Sequence, residues 1–226
     1  MANYTAFENK SQGFKKYYYE ALKNKELKNG DLMTKDNVKV KTYLFSLPPI
    51  VSCLNCNSCK SDCFALKSYH QYPSTMALWD YNFNLVKNDL FKLYDKLDNQ
   101  LKRIARSKGA KMVRIHQSGD FYSQNYLNMW CDLIAKYPMI TFFGYTKVNE
   151  ILDFSRMDQL TNCNIVRSMV GKKRNFGSLS YVTKLANETN GVVCGAYGEQ
   201  RENVKCGETC FKCMEHGHKN VFFVQH

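Results

Sequence analysis

The chain has 226 residues and a formal net charge of +12, from 32 Lys and Arg against 20 Asp and Glu. This length predicts one domain with a proper core, so the ten cysteines are not needed merely to support a very small fold. The sequence shows no signal-like start and no long apolar run, which predicts a cytoplasmic protein without membrane contact. In that compartment cysteine clusters more often bind metals than form disulfides. The positive charge favours an anionic partner, either nucleic acid or a phosphorylated substrate, and a small-molecule or anionic substrate is the partner expected of an enzyme.

The N-terminal part of the chain is polar and basic. Residues 1–36 are predicted to form a helical extension, with one helix that includes 14–22. A strand is predicted over 39–47, where two prolines stop it. Apolar residues recur at helical spacing over 74–106, which predicts one bent helix or two. Residues 37–226 are predicted to form a single α/β iron–sulfur domain.

Strands and helices then alternate to the end of the chain. The predicted strands are 111–116, 140–145, 164–169, 191–194 and 220–224, and the predicted helices are 125–136, 150–157 and 179–188. Such alternation predicts βαβ units and a parallel sheet. The sheet would be doubly wound or would form a complete or partial barrel, and in each case ligands gather at the carboxyl ends of the strands.

A group of four cysteines directly follows the first predicted strand of this domain. Gaps of two, two and three residues separate its members, Cys53, Cys56, Cys59 and Cys63. Neighbouring cysteines at such gaps rarely meet disulfide geometry, whereas a tight loop can turn several thiolates toward one metal. Zinc sites commonly use two pairs separated by a longer loop, while crowding onto one loop is closer to a ferredoxin-like iron–sulfur run. The group predicts an iron–sulfur or zinc site, with Cys56 as the candidate spare.

A second cysteine group lies near the other end of the chain. It consists of Cys194, Cys206, Cys210 and Cys213. The last three have the Cys-x3-Cys-x2-Cys spacing by which radical S-adenosylmethionine enzymes leave one iron open, although there the motif follows the first strand. Cys194 could supply a fourth thiolate and close the site, so a catalytic and a structural cluster both remain open. The two other cysteines, Cys131 and Cys163, are predicted to be structural.

Polar residues end several of the predicted strands. His116 could act as proton carrier, Asp120 could hold its tautomer, and Lys147 could meet an anionic substrate group. Since parallel strands present their carboxyl ends together, these three are expected to share a cavity with the cysteine-bound metal. Alternatively, Asp120 caps the following turn and Lys147 is solvated. Further cofactor-binding candidates at the same strand ends are Ser118, Gly119, Tyr145 and Arg167.

Several short pieces follow one another in a characteristic order. They are Phe45-Ser46-Leu47-Pro48, Cys59-x3-Cys63-Phe64-Ala65, Val113 to Phe121, Trp130, Phe143-Gly144-Tyr145-Thr146-Lys147, Gly191-Val192-Val193-Cys194, the last three cysteines and Phe223-Val224-Gln225-His226. Over about residues 37–226 this order resembles the phage gene product 88 family. The resemblance implies a viral iron–sulfur protein with a radical-S-adenosylmethionine-like partial (half) TIM-like barrel, located in the host cytoplasm. The family pattern has Pro where Leu54 stands and no obvious counterpart of Cys56.

Two functions follow as hypotheses. The first is an enzyme with one or two 4Fe–4S clusters at the mouth of a partial α/β barrel. It would act by Lewis-acid hydrolysis of an ester-like or amide-like bond with His116 as base, or by radical chemistry with S-adenosylmethionine. The second is a non-catalytic nucleic-acid-binding protein with zinc or iron–sulfur knuckles. It draws on the basic runs 102–106 and 172–174, which are more often solvated faces.

Overall fold

Strands and helices alternate along the chain between residues 112 and 167. The computed structural model describes residues 7–27, 31–35, 42–56, 60, 63–108, 111–168, 176–177, 179–194, 213–214 and 220–224. The helices are α1 Gln12–Leu27, α2 Ala65–Gln71, α3 Pro73–Asn88, α4 Leu90–Arg106, α5 Gln124–Lys136, α6 Ser155–Asp158 and α7 Leu179–Glu188. The strands are β1 Met33–Lys35, β2 Thr42–Phe45, β3 Met112–Ile115, β4 Thr141–Thr146, β5 Cys163–Arg167, β6 Phe176–Gly177, β7 Val192–Val193 and β8 Val221–Val224.

Five strands form the main sheet, in the spatial order β1-β2-β3-β4-β5. Strands β2 to β5 are parallel, and β1 pairs with β2 in the antiparallel direction. A second, parallel sheet has the order β6-β8-β7. The chain is therefore a mixed α/β protein with a mostly parallel main sheet. The partial barrel stays a prediction.

One face of the main sheet, the helix face, is apolar. Val113, Ile115, Phe142 and Ile165 are buried there, in one core cluster with side chains of α3, α4, α5 and α6. Trp130 of α5 is fully buried in the same cluster, with its ring 5.3 Å from that of Phe45. A doubly wound sheet carries helices on both faces, whereas these four helices cover one.

The opposite face, the cavity face, carries the alternate residues of the same strands. Arg114 and Tyr145 of this face line a cavity, and Asn164 donates a hydrogen bond to the carbonyl of Cys213. Val166 packs with Cys194 in a small separate cluster. Since successive side chains of a strand point to opposite faces, the two faces differ although both are largely buried.

The N-terminal segment contributes a strand to the main sheet, which the predicted helical extension of residues 1–36 does not include. Two buried amides hold this strand. Gln100 accepts hydrogen bonds from the backbone N–H groups of Leu32 and Met33, and Asn82 donates to the carbonyls of Leu32 and Ser46. Strand β1 has only three residues, too few for an alternating pattern to be visible in the sequence.

The predicted helix over 74–106 is in fact two helices. The break falls at Asp89, whose side chain accepts a hydrogen bond from the N–H of Lys92 and caps α4. The predicted helix over 150–157 shortens to the four residues of α6, and the short helix α2 was not predicted. The predicted strands around β3, β4 and β5 lie within about two residues of the observed ones.

Candidate functional site

A cavity of about 500 Å³ opens at the carboxyl ends of the parallel strands. This volume is in the range of small-molecule binding sites. The carboxyl ends of β3 and β4 and the loops after β2 and β5 contribute to its wall. Among the described residues, the wall consists of Pro49, Cys53, Asn55, Cys63, Phe64, Ala65, Arg114, His116, Gln117, Ser118, Gly119, Asp120, Tyr145, Lys147, Ser168, Cys194 and Cys213.

Both cysteine groups reach this one cavity. Cys53 and Cys63 of the first group and Cys194 and Cys213 of the second line its wall. Within the described residues, no group of three or more His, Cys, Asp or Glu side chains is placed to hold a metal ion. Cys56 is described but does not line the cavity. The remaining predicted ligands, Cys59, Cys206 and Cys210, lie outside the described residues.

Close packing against Gly119 positions the first cysteine loop. Gly119 has a φ of +83°, and a Cβ added there would lie 2.5 Å from Oγ of Ser52 and 2.6 Å from Cβ of Leu47. The Leu47 N–H also donates to the Ser118 carbonyl over 2.9 Å. Glycine is required because this loop occupies the space a side chain would fill. Gly119 was predicted to be a cofactor-binding residue, which stays a prediction, and the structure shows that it lines the cavity and permits the close approach of the loop before Cys53.

Asp120 joins the ends of β3 and β4. Its carboxylate accepts hydrogen bonds from the N–H of Phe121, the hydroxyl of Thr146 and the N–H of Lys147, each over 2.8 Å. Burial raises the pKa of Asp120 to about 6, against the lowering effect of these donors. Asn55 donates to the Lys147 carbonyl over 2.9 Å, which ties the first cysteine loop to the same turn. Asp120 therefore holds the wall of the cavity together.

His116 lies in the wall as expected, but its surroundings differ from the predicted ones. Its ring is buried, and Nε2 lies 2.8 Å from the hydroxyl of Tyr126. No hydrogen bond joins Asp120 to His116 in the described part of the chain, so the predicted tautomer role of Asp120 is wrong and Tyr126 takes that place. Burial lowers the pKa of His116 to about 3, which makes the imidazole neutral at physiological pH. A general base works best with a pKa near the working pH, so His116 suits hydrogen bonding better than proton uptake.

Two residues of the cavity face, Arg114 and Asn164, were not predicted as site residues. Arg114 lines the cavity with its guanidinium 5.3 Å from the centre of the Tyr145 ring. Burial raises the pKa of Tyr145, and Cys213 beside its hydroxyl adds to the shift. Asn164 is fully buried on the neighbouring strand. The sequence could have indicated both Arg114 and Asn164. Placing a charged or amide side chain in an otherwise apolar strand costs free energy unless that side chain has a partner or a function.

Arg167 does not line the cavity, contrary to its prediction as a cofactor-binding residue. It has the same strand parity as Cys163 and Ile165, so its side chain lies on the helix face. There it forms an ion pair with Asp158 and its guanidinium lies 5.6 Å from the centre of the Phe154 ring. Tyr145, Ser118 and Lys147, by contrast, lie in the cavity wall as expected.

The basic runs behind the nucleic-acid hypothesis give it no further support. Arg103, in the run 102–106 at the end of α4, forms an ion pair with Asp31. The run 172–174 lies outside the described residues. None of the described helices combines the length and the apolar character needed to cross a membrane.

The fold and the cavity define a class: an α/β protein in which two cysteine-rich segments meet at the carboxyl ends of a parallel sheet. The model of the family described as Gene product 88 matches residues 14–224, and the chain belongs to this family. It is similar to the Gene 88 protein of Mycobacterium phage L5, with 25% identity over 186 residues that cover 73% of this chain and 78% of that protein.

A second relative is the Gene 88 protein of Mycobacterium phage D29. It is 25% identical over 112 residues, which cover 47% of this chain and 47% of that protein, so the match spans about half of each chain. No solved structure matches the chain significantly. The resemblance to the phage gene product 88 family is confirmed, and the chain is a phage-type gene product.

Proposed function

We propose that this protein is a phage iron–sulfur enzyme whose cavity holds the cluster beside a small anionic substrate. The observation that supports the proposal most is the convergence of both cysteine groups on one cavity. Cys53 and Cys194 are far apart in sequence, yet both line its wall together with His116, Asp120 and Lys147. Thiolates are the donors that iron–sulfur clusters use, so the chemistry of this wall fits such a group.

The proposed ligands come from both ends of the domain. They are Cys53, Cys56, Cys59 and Cys63 for a cluster at the first loop, and Cys194, Cys206, Cys210 and Cys213 for the second site. One or two 4Fe–4S clusters satisfy this set, with zinc as the alternative metal. A cluster bound here would supply Lewis-acid chemistry for hydrolysis, or one-electron chemistry with S-adenosylmethionine.

In this proposal, side chains of the cavity wall bind and orient the substrate. Lys147, held at its backbone by Asp120 and Asn55, would attract the anionic part of a substrate. Neutral His116, enclosed with Nε2 facing Tyr126, would support the wall at the end of β3. The phenol of Tyr145 lies beside Cys213, where its neutral hydroxyl can donate to sulfur.

The partial barrel belongs to the same proposal. Strands β2 to β5 follow one another in spatial order, and helices α3 to α6 cover one face. Right-handed crossovers between sequential strands place every helix on the same side, as in a barrel wall. The cavity face would then be the inside of a half barrel. The host cytoplasm, which keeps thiols reduced, is the compartment we propose for it.

Anaerobic purification of the full chain with iron, sulfide and zinc assays tests the metal. We expect brown protein with iron and sulfide in equal amounts. Cys59→Ala and Cys63→Ala should lose metal, because a thiolate that binds a structural metal contributes folding free energy. The matched controls Cys131→Ala and Cys163→Ala should keep it, since both side chains are buried in the apolar core. Colourless protein with stoichiometric zinc would refute the iron–sulfur assignment.

A second experiment distinguishes radical chemistry from Lewis-acid hydrolysis. The reduced protein is incubated with S-adenosylmethionine, and its cleavage products are measured. Cleavage that disappears in Cys210→Ala supports radical chemistry, whereas intact S-adenosylmethionine together with hydrolysis of an ester or amide probe supports Lewis-acid chemistry. DNA binding with a steep salt dependence by a zinc-loaded, inactive protein would instead support the nucleic-acid-binding alternative.

A further inference from the structure

A second cavity, of about 680 Å³, lies between helices α1, α2 and α3 and the loop after β2. It shares no described wall residue with the cavity at the strand ends. Its described wall contains five aromatic side chains, namely Phe7, Tyr18, Tyr19, Tyr69 and Phe83. Small-molecule sites have this volume and are lined mainly by apolar and aromatic side chains with a few polar groups. The cavity is therefore a candidate binding site in its own right.

The carboxylate of Asp80, on α3, lies among these rings. Its two oxygens accept hydrogen bonds from the phenols of Tyr69, over 2.5 Å, and Tyr18, over 2.8 Å. Asp80 lines the cavity and is partly exposed. Burial raises the pKa of this carboxyl, against the lowering effect of the two phenols. Each oxygen thus has a hydrogen-bond donor, while the negative charge has no ion-pair partner among the described residues.

The other charged groups of the wall lie nearer to solvent. Glu8 and Lys87 are exposed, and Lys15 donates from Nζ to the Glu8 carbonyl over 2.8 Å in an exposed contact. Water and dissolved salt screen charges at such positions. A ligand that enters the cavity therefore meets the Asp80 carboxylate as its least screened charge.

Aromatic rings surround the same space. The Phe7 ring lies 4.8 Å from that of Tyr18 and 6.0 Å from that of Tyr19, with the planes inclined by 57° and 89°. On the α3 side, Nζ of Lys87 lies 5.3 Å from the centre of the Phe83 ring. The face of an aromatic ring attracts cations, because its π electrons make it negative. The rings and the carboxylate together favour a positively charged ligand.

We propose that this cavity binds a small organic molecule through a quaternary ammonium group, held by Asp80 and the aromatic wall. Both Asp80 oxygens already accept a hydrogen bond, so the carboxylate lacks a positive charge rather than a donor. A quaternary ammonium carries that charge without any N–H group, and aromatic walls are known to suit it. The inference does not rest on the proposed function, because the two cavities have different described walls.

A titration of the full chain with three ligands tests the class of ligand. Choline carries the quaternary ammonium, dimethylbutanol is its uncharged counterpart with carbon in place of nitrogen, and ethanolamine is its counterpart without methyl groups. Each is titrated at constant ionic strength, with protein NMR shifts as the readout. Choline should bind at least about tenfold more tightly than dimethylbutanol, and more tightly than ethanolamine. Asp80→Asn should remove the advantage of choline over dimethylbutanol.

Two tyrosines of helix α1 supply a matched pair of variants. Tyr19 lines the cavity and is 57% exposed, whereas Tyr17 is 64% exposed and is not part of the described wall. Tyr19→Leu should weaken choline binding about two- to fivefold, the scale of an exposed cation–π contact. Tyr17→Leu should leave choline binding unchanged, and Tyr19→Phe, which keeps the ring, should bind choline like wild type.

Three outcomes overturn the inference. They are absence of choline binding, binding of dimethylbutanol or ethanolamine that is as tight as that of choline, and equal effects of Tyr19→Leu and Tyr17→Leu. Since both tyrosines are mostly exposed, these two variants test the site even if Asp80→Asn fails to fold. None of these results depends on iron or zinc, so a failure here leaves the proposed function untouched.

Discussion

The two faces of the main sheet are both largely buried but differ in chemistry. The helix face presents Val113, Ile115 and Phe142 to four helices, and each of these side chains is fully buried. The cavity face presents Arg114 and Tyr145 to a space lined with cysteines. A core gains free energy from burying apolar surface and loses it when charged groups are buried. The helix face therefore supplies the apolar core, while the cavity face carries polar groups that an apolar core would exclude.

The largest expected difference between the two faces comes from replacing one large residue on each side of the main sheet. Trp130→Ala should lower the free energy of unfolding by about 3–5 kcal/mol, because it empties the fully buried space against Phe45. Arg114→Met should change it by less than about 1 kcal/mol or raise it, since it removes a half-buried charge at similar volume. Urea unfolding of the metal-free proteins measures both. Equal losses would mean that the cavity face is structural.

Gly119→Ala breaks the contact between the cavity wall and the first cysteine loop. We expect a loss of about 1–3 kcal/mol, because an L side chain at φ +83° is strained and its Cβ would overlap Ser52. Gly13→Ala is the matched control, since a Cβ there meets nothing within 4 Å and Gly13 lies in helix α1. That change should be neutral or stabilising by up to about 1 kcal/mol. A Gly119→Ala protein as stable as wild type would contradict the packing described for the loop.

Asp120→Asn perturbs the junction between β3 and β4. An amide offers one acceptor oxygen to the three donors that Asp120 serves, so we expect a loss of about 1–3 kcal/mol. The loss should depend on pH. Burial raises the pKa of Asp120 from 3.8 to about 6 in the folded protein, which therefore binds more protons than the unfolded chain between these values. The stability from this carboxyl is fully present below pH 3.8 and is lost as pH rises through about 6.

Urea unfolding of wild type and Asp120→Asn at several pH values from about 4 to 7 measures this dependence. The variant should lack a fall in stability that wild type shows between about pH 4 and pH 6. The difference between the two proteins should therefore be larger at the acidic end. Parallel pH profiles would show that Asp120 titrates alike in the folded and unfolded states, against the burial described here.

Asn55→Ala should have the smallest effect. It removes the hydrogen bond from the first cysteine loop to the Lys147 carbonyl, which contributes about 0.5–1.5 kcal/mol. Asn128→Ala on the outer side of α5 is the control, because its amide bonds only the neighbouring Gln124 side chain in the described contacts. Thermal unfolding would show the difference. An equal response in both variants would mean that the tie between the loop and the strand ends adds no stability.

Much of the chain order could be read from the sequence. The strands β3, β4 and β5 are short apolar runs bounded by turn signals, and the prediction places each of them within about two residues. The extra elements β1, α2 and β6 were missed because each is too short to show a period. The break at Asp89 was left open as one helix or two, since apolar spacing continues through it while the cap contact is local.

The sequence predicts that the polar ends of neighbouring parallel strands gather, because a parallel sheet brings its carboxyl ends together. His116, Asp120 and Lys147 do line one cavity, with Cys53, Cys63, Cys194 and Cys213. What each side chain contacts depends on the tertiary structure. The pairing of β3 with β4 gives Asp120 its partners Thr146 and Lys147, and the packing of α5 places Tyr126 against His116. Arg167 lies on the face of the sheet that the helices cover, whereas Arg114 lies on the opposite face, in the cavity wall. These side-chain contacts depend on strand register and on which face of the sheet is covered. Both are set by residues far apart in the sequence, so a local sequence pattern does not reveal them.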